Sequence, residues 1–314
     1  MYVSIVVPVY NEEESLDLLC AGLSRSLKAL GRDYEIIMVD DGSRDGSNVK
    51  LKAIAAADPL VKVITLRRNY GQTAAIVAGF DHAQGEYIVT LDADLQNDPK
   101  DIPPMLKKAE EGFDLISGWR RQRKDLLISR RLPSFMANWI IVKMTGVKLH
   151  DYGCTLKVYR KEFLRDINLY GEMHRYIPVY IAWMGGRISE MEVAHHPRKY
   201  GISKYGIERT MKVIFDLLTV KLLLGSYFTS PLYFFGRWGV WLIMSGALCG
   251  AITIVQKIFY GAWVHRNPLL LLAVFFILIG AQAIFMGLLA EINIRIYYES
   301  TKRSIYSIVQ KINI

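Results

Sequence analysis

Cysteine is scarce: the 314-residue chain has three, Cys20, Cys154 and Cys249. Their separations match no C-x-x-C or zinc-type spacing, which excludes a disulfide scaffold and a structural zinc site and fits a reducing compartment. No G-x-G-x-x-G and no Walker lysine motif occurs, so dehydrogenase and P-loop NTPase chemistry are not indicated. Charged residues are only 22% of the chain against 52% hydrophobic ones, a balance that excludes disorder. Asp and Glu are the minority among those charges, 30 against 39 Lys and Arg, for a net charge of +9 that suits an anionic partner. No helix-turn-helix, RNP or zinc-finger pattern accompanies that charge, so nucleic acid is not the expected partner; phosphate or a lipid surface remains. Met1 and Tyr2 run straight into the apolar stretch Val3 to Val9 without a basic n-region, which predicts no secretory signal and a cytoplasmic N-terminal half.

What is present divides unevenly. Up to about residue 200, β-branched runs (Val3 to Val9, Glu35 to Val39, Val61 to Leu66, Tyr87 to Leu91) alternate with helical stretches such as Glu13 to Ala29 and Gly71 to Ala83. That rhythm predicts an α/β domain with a mostly parallel sheet covered by helices. After residue 205 the spacing of Ile207, Met211, Ile214, Phe215, Leu218 and Leu222 predicts an amphipathic helix, lying along a membrane surface or packed on the domain. Two uncharged stretches follow, Trp238 to Val255 and Pro268 to Ala290, each long enough at about 1.5 Å per residue to cross a bilayer core. Arg237, Trp238, Lys257, Tyr260, Trp263 and Arg266 flank them as interfacial anchors. Two crossings would return the tail, with Arg295, Lys302, Arg303 and Lys311, to the side of the first domain, and its basic residues make that side cytoplasmic. Gly246 and Gly250 form a G-x-x-x-G that permits close helix approach, within the hairpin or in a homo-oligomer.

The expected boundaries are 1–205 for the α/β domain, 206–230 for the juxtamembrane helix, 231–294 for the two-span hairpin and 295–314 for a C-terminal tail.

Chemistry-bearing residues cluster where strands end, the side on which open α/β sheets bind ligands. The first strand runs into Pro8-Val9-Tyr10-Asn11-Glu12-Glu13-Glu14, where Asn11 and Glu14 have the spacing of a helix N-cap pair. The second ends in Asp40-Asp41-Gly42-Ser43, acids able to accept hydrogen bonds from a ribose or base, or simply to build a turn. After the fourth strand comes Asp92-Ala93-Asp94-Leu95-Gln96, and two carboxylates so spaced at a turn can share one hard divalent ion while leaving positions for diphosphate oxygens. The stretch from Trp119 to Arg131 carries Arg120, Arg121, Arg123, Lys124, Arg130 and Arg131 against the single acid Asp125. Such a run suits anionic headgroups as well as a bound substrate, and the residues leave both open.

Taken together, Pro8 to Glu12, Asp40 to Ser43, Arg67-Arg68-Asn69-Tyr70-Gly71-Gln72 and Asp92 to Gln96 resemble the inverting GT-A glycosyltransferases of family 2. With His196-Pro197-Arg198, Gly201, Ser203-Lys204-Tyr205 and two C-terminal spans, the whole chain resembles the polyprenyl-phosphate glycosyltransferases. The resemblance implies a GT-A domain, Rossmann-like with a mostly parallel sheet, joined to an α-helical membrane domain with amphipathic interface helices and two transmembrane helices. It implies a multi-pass protein of the inner membrane that moves one sugar from a nucleotide sugar to polyprenyl phosphate, with Mg²⁺ or Mn²⁺ as cofactor. Pro8, Tyr10, Glu12, Asp40 and Asp41 would hold the nucleoside, and Gln72, Asp92, Ala93, Asp94 and Arg120 the rest of the donor. Asp92, Asp94 and Gln96 would form the metal site. Arg198 and Lys204 would close over the leaving diphosphate, whose developing charge calls for cations. Arg131 and Ser134 would take the acceptor phosphate, and Asp151 would serve as a base or as a positioning group. Arg175 is a further candidate, and His195 and His196 are read as structural. The same resemblance inclines towards UDP-glucose as donor, with GDP-mannose as the alternative. A processive polysaccharide synthase would need a Gln-x-x-Arg-Trp motif and more spans, and neither is present. A silent membrane adaptor would bind nucleotide without transferring sugar.

Overall fold

The computed structural model describes residues 1–121, 141–143, 145–165, 167, 169, 173–197, 231–261, 263, 267–300 and 305–314, in two compact units. The first unit comprises residues 1–221 and 304–314 and is built on one sheet. Its strands are β1 (Val3–Val9), β2 (Tyr34–Asp40), β3 (Val61–Leu66), β4 (Tyr87–Thr90), β5 (Leu115–Trp119), β6 (Lys157–Arg160), β7 (Ile188–Glu192) and β8 (Ile308–Ile312). The spatial order is β7-β5-β6-β4-β1-β2-β3-β8. Pairs β1–β2, β1–β4, β2–β3 and β5–β7 are parallel; β4–β6, β5–β6 and β3–β8 are antiparallel. The chain steps outward from β1 to β3 and then crosses back to place β4 on the other side of β1. That reversal makes a crevice at the carboxyl ends of β1 and β4, where ligands of such sheets bind.

Helices α1 (Leu16–Lys28), α2 (Ser47–Ala57) and α4 (Ile102–Glu110) cover one face, and α3 (Gln72–His82) the other. Period-2 alternation sends Val3, Ile5, Val7 and Val9 of β1 towards Leu16, Leu19, Leu23 and Leu27 of α1 and Ile102, Met105 and Leu106 of α4. Val6 points the other way, against Gly79 of α3, where an added Cβ would lie 2.2 Å from a Val6 methyl. At the amino ends of the strands, buried Glu35 accepts hydrogen bonds from the Ser4 hydroxyl and Gln84 N–H (2.7 Å) and pairs with Lys62 at 2.6 Å. Burial would raise the Glu35 carboxyl, but Lys62 and these donors hold it below the ordinary carboxylate range. A short helix, α5 (Ile177–Trp183), follows the single turn Met173–Tyr176.

Two expectations are corrected here. Helix α1 begins at Leu16, not near Glu13, and Asn11 does not cap it: Asn11 sits in the left-handed region (φ 55°) and its side-chain oxygen accepts the Arg44 N–H at 2.8 Å. The neighbouring loop competes for the asparagine and wins, because both loops leave adjacent parallel strands. Within the expected C-terminal tail, Ile308–Ile312 forms the edge strand β8 on β3.

The second unit, residues 222–303, contains α6 (Pro231–Tyr260) and α7 (Pro268–Ser300). Within them Phe235–Tyr260 and Pro268–Ala290 are long and apolar enough to cross a membrane. Glycines permit close packing: a Cβ on Gly239 would meet the Gly280 carbonyl at 2.6 Å, and one on Gly246 the Ala273 carbonyl at 2.8 Å. Gly246 is thus used inside the hairpin. Trp241, Met244, Leu248, Phe275, Leu278 and Phe285 face outward, as lipid-facing positions do.

Candidate active site

Four loops at the carboxyl ends of β1 to β4 each contain a residue in the left-handed region: Asn11 (φ 55°), Gly42 (68°), Gly71 (95°) and Leu95 (59°). These tight turns draw the loops together. Ser43 Oγ accepts the Asn11 N–H at 3.0 Å, Ser47 Oγ accepts the Glu12 N–H at 3.0 Å, and Glu13 accepts the Gly46 N–H at 2.9 Å. Gly42 lies so close to the next loop that a Cβ would sit 2.5 Å from the Arg68 carbonyl carbon.

Asp40 and Asp41 are buried at this junction. Asp40 accepts from Ser43 N–H (2.9 Å) and from Asn48 Nδ2 (2.8 Å), which also reaches Thr65 Oγ1 at 3.0 Å. Asp41 accepts from the N–H groups of Tyr70 (2.7 Å) and Gly71 (2.9 Å), so it holds the 67–71 loop. Burial pushes its carboxyl up to about 6, with Asp40 adding repulsion and the two N–H groups opposing both. Both acids are engaged with their own backbone, and each still offers second lone pairs to a ligand. Pro8 is paired with Val39 across the strands, and Tyr10 and Glu12 lie in the same loop cluster.

The second half of the site gathers around Asp92. Its carboxylate accepts from Gln72 Nε2 at 2.7 Å and from the Thr155 hydroxyl. Burial, reinforced by the like charge of Asp94, raises its carboxyl, while Arg120 and Lys157 oppose the rise. Asp94 Oδ1 accepts the Gln96 N–H at 3.1 Å, and the Gln96 carbonyl accepts the His196 N–H at 2.8 Å. Ala93, between the two acids, is buried in the core. Two neighbouring carboxylates, one raised by the other, are a donor set that a hard divalent cation fits. Among the described residues no group of three or more His, Cys, Asp or Glu could hold a metal.

Arg120, at the end of β5, forks onto Asp151: Nε at 2.7 Å, Nη2 at 3.0 Å. Asp151 also accepts the Gly153 N–H at 3.1 Å. The preceding residues are stacked, Trp119 on His150 with centroids 4.3 Å apart, and Glu190 fastens His150 through its ring nitrogen at 2.7 Å and its N–H at 2.8 Å. Lys157, on β6 opposite Thr90, is the residue that sequence reading missed. It is buried, donates to the Tyr152 carbonyl (3.3 Å) and to that of Cys154, and burial lowers its ammonium pKa. A lone lysine between Leu156 and Val158 reads as a solvent-facing strand position; only the antiparallel pairing with β4 turns it inward.

The structure therefore brings Pro8, Tyr10, Glu12, Asp40 and Asp41 into one loop cluster and Gln72, Asp92, Ala93, Asp94, Gln96, Arg120 and Asp151 into the adjoining part of the crevice. The charge of Arg175 acts on Lys157 and helps to lower its ammonium pKa. His195 forms an isolated antiparallel bridge with Asn97. Arg131, Ser134, Arg198, Lys204 and the amphipathic helix lie outside the described residues.

Comparison with known proteins follows the same lines. The family model described as glycosyl transferase family 2 matches residues 4–167. The chain is 43% identical to the dodecaprenyl-phosphate galacturonate synthase of Rhizobium johnstonii, over 98% of this chain and 92% of that protein. It is 41% identical to the undecaprenyl-phosphate 4-deoxy-4-formamido-L-arabinose transferase of Shewanella sediminis, over 97% and 91%. Among solved structures it shares its fold with glucosyl-3-phosphoglycerate synthase from Mycobacterium tuberculosis in complex with Mn²⁺, UDP and phosphoglyceric acid, with a TM-score of 0.54, 18% identity and coverage of 71% and 78%. S. aureus TarS 1-349 in complex with UDP-GlcNAc gives a TM-score of 0.52 at 18% identity, covering 71% and 67%. The sheet with its reversal at β1 and β4 is the GT-A fold, and the chain belongs to glycosyl transferase family 2, within it to the polyprenyl-phosphate glycosyltransferases.

Proposed function

We propose that this enzyme transfers a single sugar from a nucleotide sugar to polyprenyl phosphate at a membrane surface, with inversion at the anomeric carbon. The observation that carries the reading is the Asp92–Asp94 pair at the carboxyl end of β4, flanked by Arg120 and Lys157, in a chain whose full-length relatives are named for polyprenyl-phosphate substrates. The loops held by Asp40 and Asp41 form the nucleoside wall. Asp92 and Asp94, with Gln96 beside them, would hold Mg²⁺ or Mn²⁺, which when bound supplies positive charge to the donor diphosphate. Arg120 is oriented by Asp151 and presents a fixed cation to the same region.

An oxygen of the acceptor phosphate attacks the anomeric carbon as its bond to the diphosphate breaks, and the nucleoside diphosphate leaves with the electron pair. The phosphate, with a second pKa of about 6, is already ionised at neutral pH and needs no base. That agrees with Asp151: a carboxylate occupied by a guanidinium fork and a backbone N–H is an orienting group. Arg198 and Lys204 are assigned to the leaving diphosphate and Arg131 and Ser134 to the acceptor phosphate.

Neither of the two relatives compared above is named for glucose, and both sugars they are named for are modified, a uronic acid and a 4-formamido pentose. We therefore replace UDP-glucose as the favoured donor with a nucleotide-linked sugar of this modified kind. Both termini of the helical unit connect to the sheet unit, so crossing by α6 and α7 leaves the catalytic domain on one side of the inner membrane, the cytoplasmic one.

The test incubates purified full-length protein with undecaprenyl phosphate, Mg²⁺ or Mn²⁺ and separate nucleotide donors of galacturonate, 4-deoxy-4-formamido-L-arabinose, glucose and mannose. A glycolipid of the expected mass with one donor supports the proposal; no glycolipid with any donor overturns it.

A further inference from the structure

Beyond the helical unit the chain comes back to the sheet, and where it lands matters for the donor site. β8 pairs Ile312 with Val63, Lys311 with Ile64, Gln310 with Thr65 and Ile308 with Leu66, with a slip in register between Thr65 and Leu66. Three further attachments surround this ladder. Asn313 Nδ2 donates to the carbonyls of Ala55 (2.7 Å) and Val61 (2.9 Å), and the Tyr306 hydroxyl donates to Asp81 of α3 at 2.7 Å. Past the slip, the Arg67 N–H donates to the Ser307 carbonyl at 2.9 Å and Arg67 Nε reaches Ser307 Oγ at 3.4 Å.

Arg67 opens the 67–72 segment, which supplies contacts to both halves of the site. Its Tyr70 and Gly71 N–H groups are held by Asp41, its Arg68 backbone lies against Gly42, and its Gln72 donates to Asp92. We infer that β8 is a positioning element of the donor site: residues that follow the membrane helices pin the carboxyl end of β3 and so set the 67–72 segment for nucleotide binding. The physical reason is the edge. Without β8, β3 would expose a row of unpaired N–H and C=O groups. Arg67 would then lose its partner at the point where the loop leaves the sheet, and a loop so released samples open forms. Nucleotide affinity falls, because binding must then restore the closed loop, while turnover at saturating donor is kept.

The inference rests on the nucleotide-sugar reading given above, and its test separates the two. Full-length protein in detergent is compared with a Tyr306→Phe/Asn313→Ala double variant and with a deletion of residues 305–314. Readouts are calorimetric binding of UDP and GDP with Mn²⁺, and hydrogen exchange over residues 67–72. The expected result is nucleotide binding weakened by about three- to tenfold in the double variant, more in the deletion. Faster exchange at Tyr70 and Gly71 and a kcat within about twofold of wild type should accompany it. A synthetic peptide of residues 305–314 should restore binding to the deletion. Wild-type nucleotide affinity and exchange in the double variant would overturn the inference, whether or not the deletion folds. If wild-type protein binds neither nucleotide, the functional reading fails, and exchange over 67–72 still decides the role of β8.

Discussion

Asp41 shows what a single buried acid does in this architecture. Its carboxyl, raised to about 6 from an ordinary 3.8, favours the folded state most below 3.8, and that contribution is lost as pH rises through about 6. In detergent, wild-type protein should therefore lose about 1.4 kcal/mol of stability relative to Asp41→Asn between pH 5 and 7.5, read from denaturant midpoints at each pH. A parallel pH dependence in the two proteins would show that the burial energy is not carried by this group. Glu35 behaves oppositely. Its lowered carboxyl stabilises above its ordinary value and the effect disappears as pH falls through the folded one. Glu35→Ala strands Lys62 in the interior and should cost about 3 kcal/mol at neutral pH. At the candidate metal site, Asp94→Asn should lower transfer by about a hundredfold or more and also weaken Mn²⁺ binding in the presence of nucleotide, measured by calorimetry. Retained Mn²⁺ affinity would remove Asp94 from the metal site.

Elements here are positioned by their turns. Gly42 has both a left-handed backbone and no room for a methyl group against Arg68, so Gly42→Ala must push the 40–43 turn away from the 67–71 loop. The expected outcome is a loss of about 2 kcal/mol in stability together with a raised KM for donor; an unchanged KM would show that the two loops do not share the ligand. Leu95, left-handed without being glycine or asparagine, marks the turn that presents Asp94 and Gln96. Half of the eight strands were legible as β-branched runs: Val3 to Val9 and Val61 to Leu66 coincide with β1 and β3, Glu35 to Val39 falls within β2, and Tyr87 to Leu91 runs one residue past β4. β8 was not, because a five-residue strand after a long apolar helix has little local signature and exists only by pairing with β3.

At the scale of the whole molecule, the two membrane-length helices have little polar surface with which to recognise each other, so small residues set their approach. Gly280→Leu should separate α7 from α6 at Gly239 and lower the detergent melting temperature. An unaltered melting temperature would mean that the hairpin holds through other contacts. Within the sheet unit, the residues that follow the helical unit in sequence reach the donor loop, where the Ser307 carbonyl accepts the Arg67 N–H.

The amino-acid sequence by itself determined the alternation of strands and helices, the apolar lengths of α6 and α7, and the acids at the ends of β2 and β4. These depend on local periodicity and on residue chemistry, which neighbours in the chain are enough to express. Tertiary structure decided the rest. It turned Lys157 inward through pairing with β4, engaged Asp151 with Arg120, gave Asn11 to a neighbouring loop in place of a helix end, and set the last residues of the chain against β3. Each of these is a contact between segments far apart in sequence, and no local pattern encodes which partner a strand edge or a buried charge will meet.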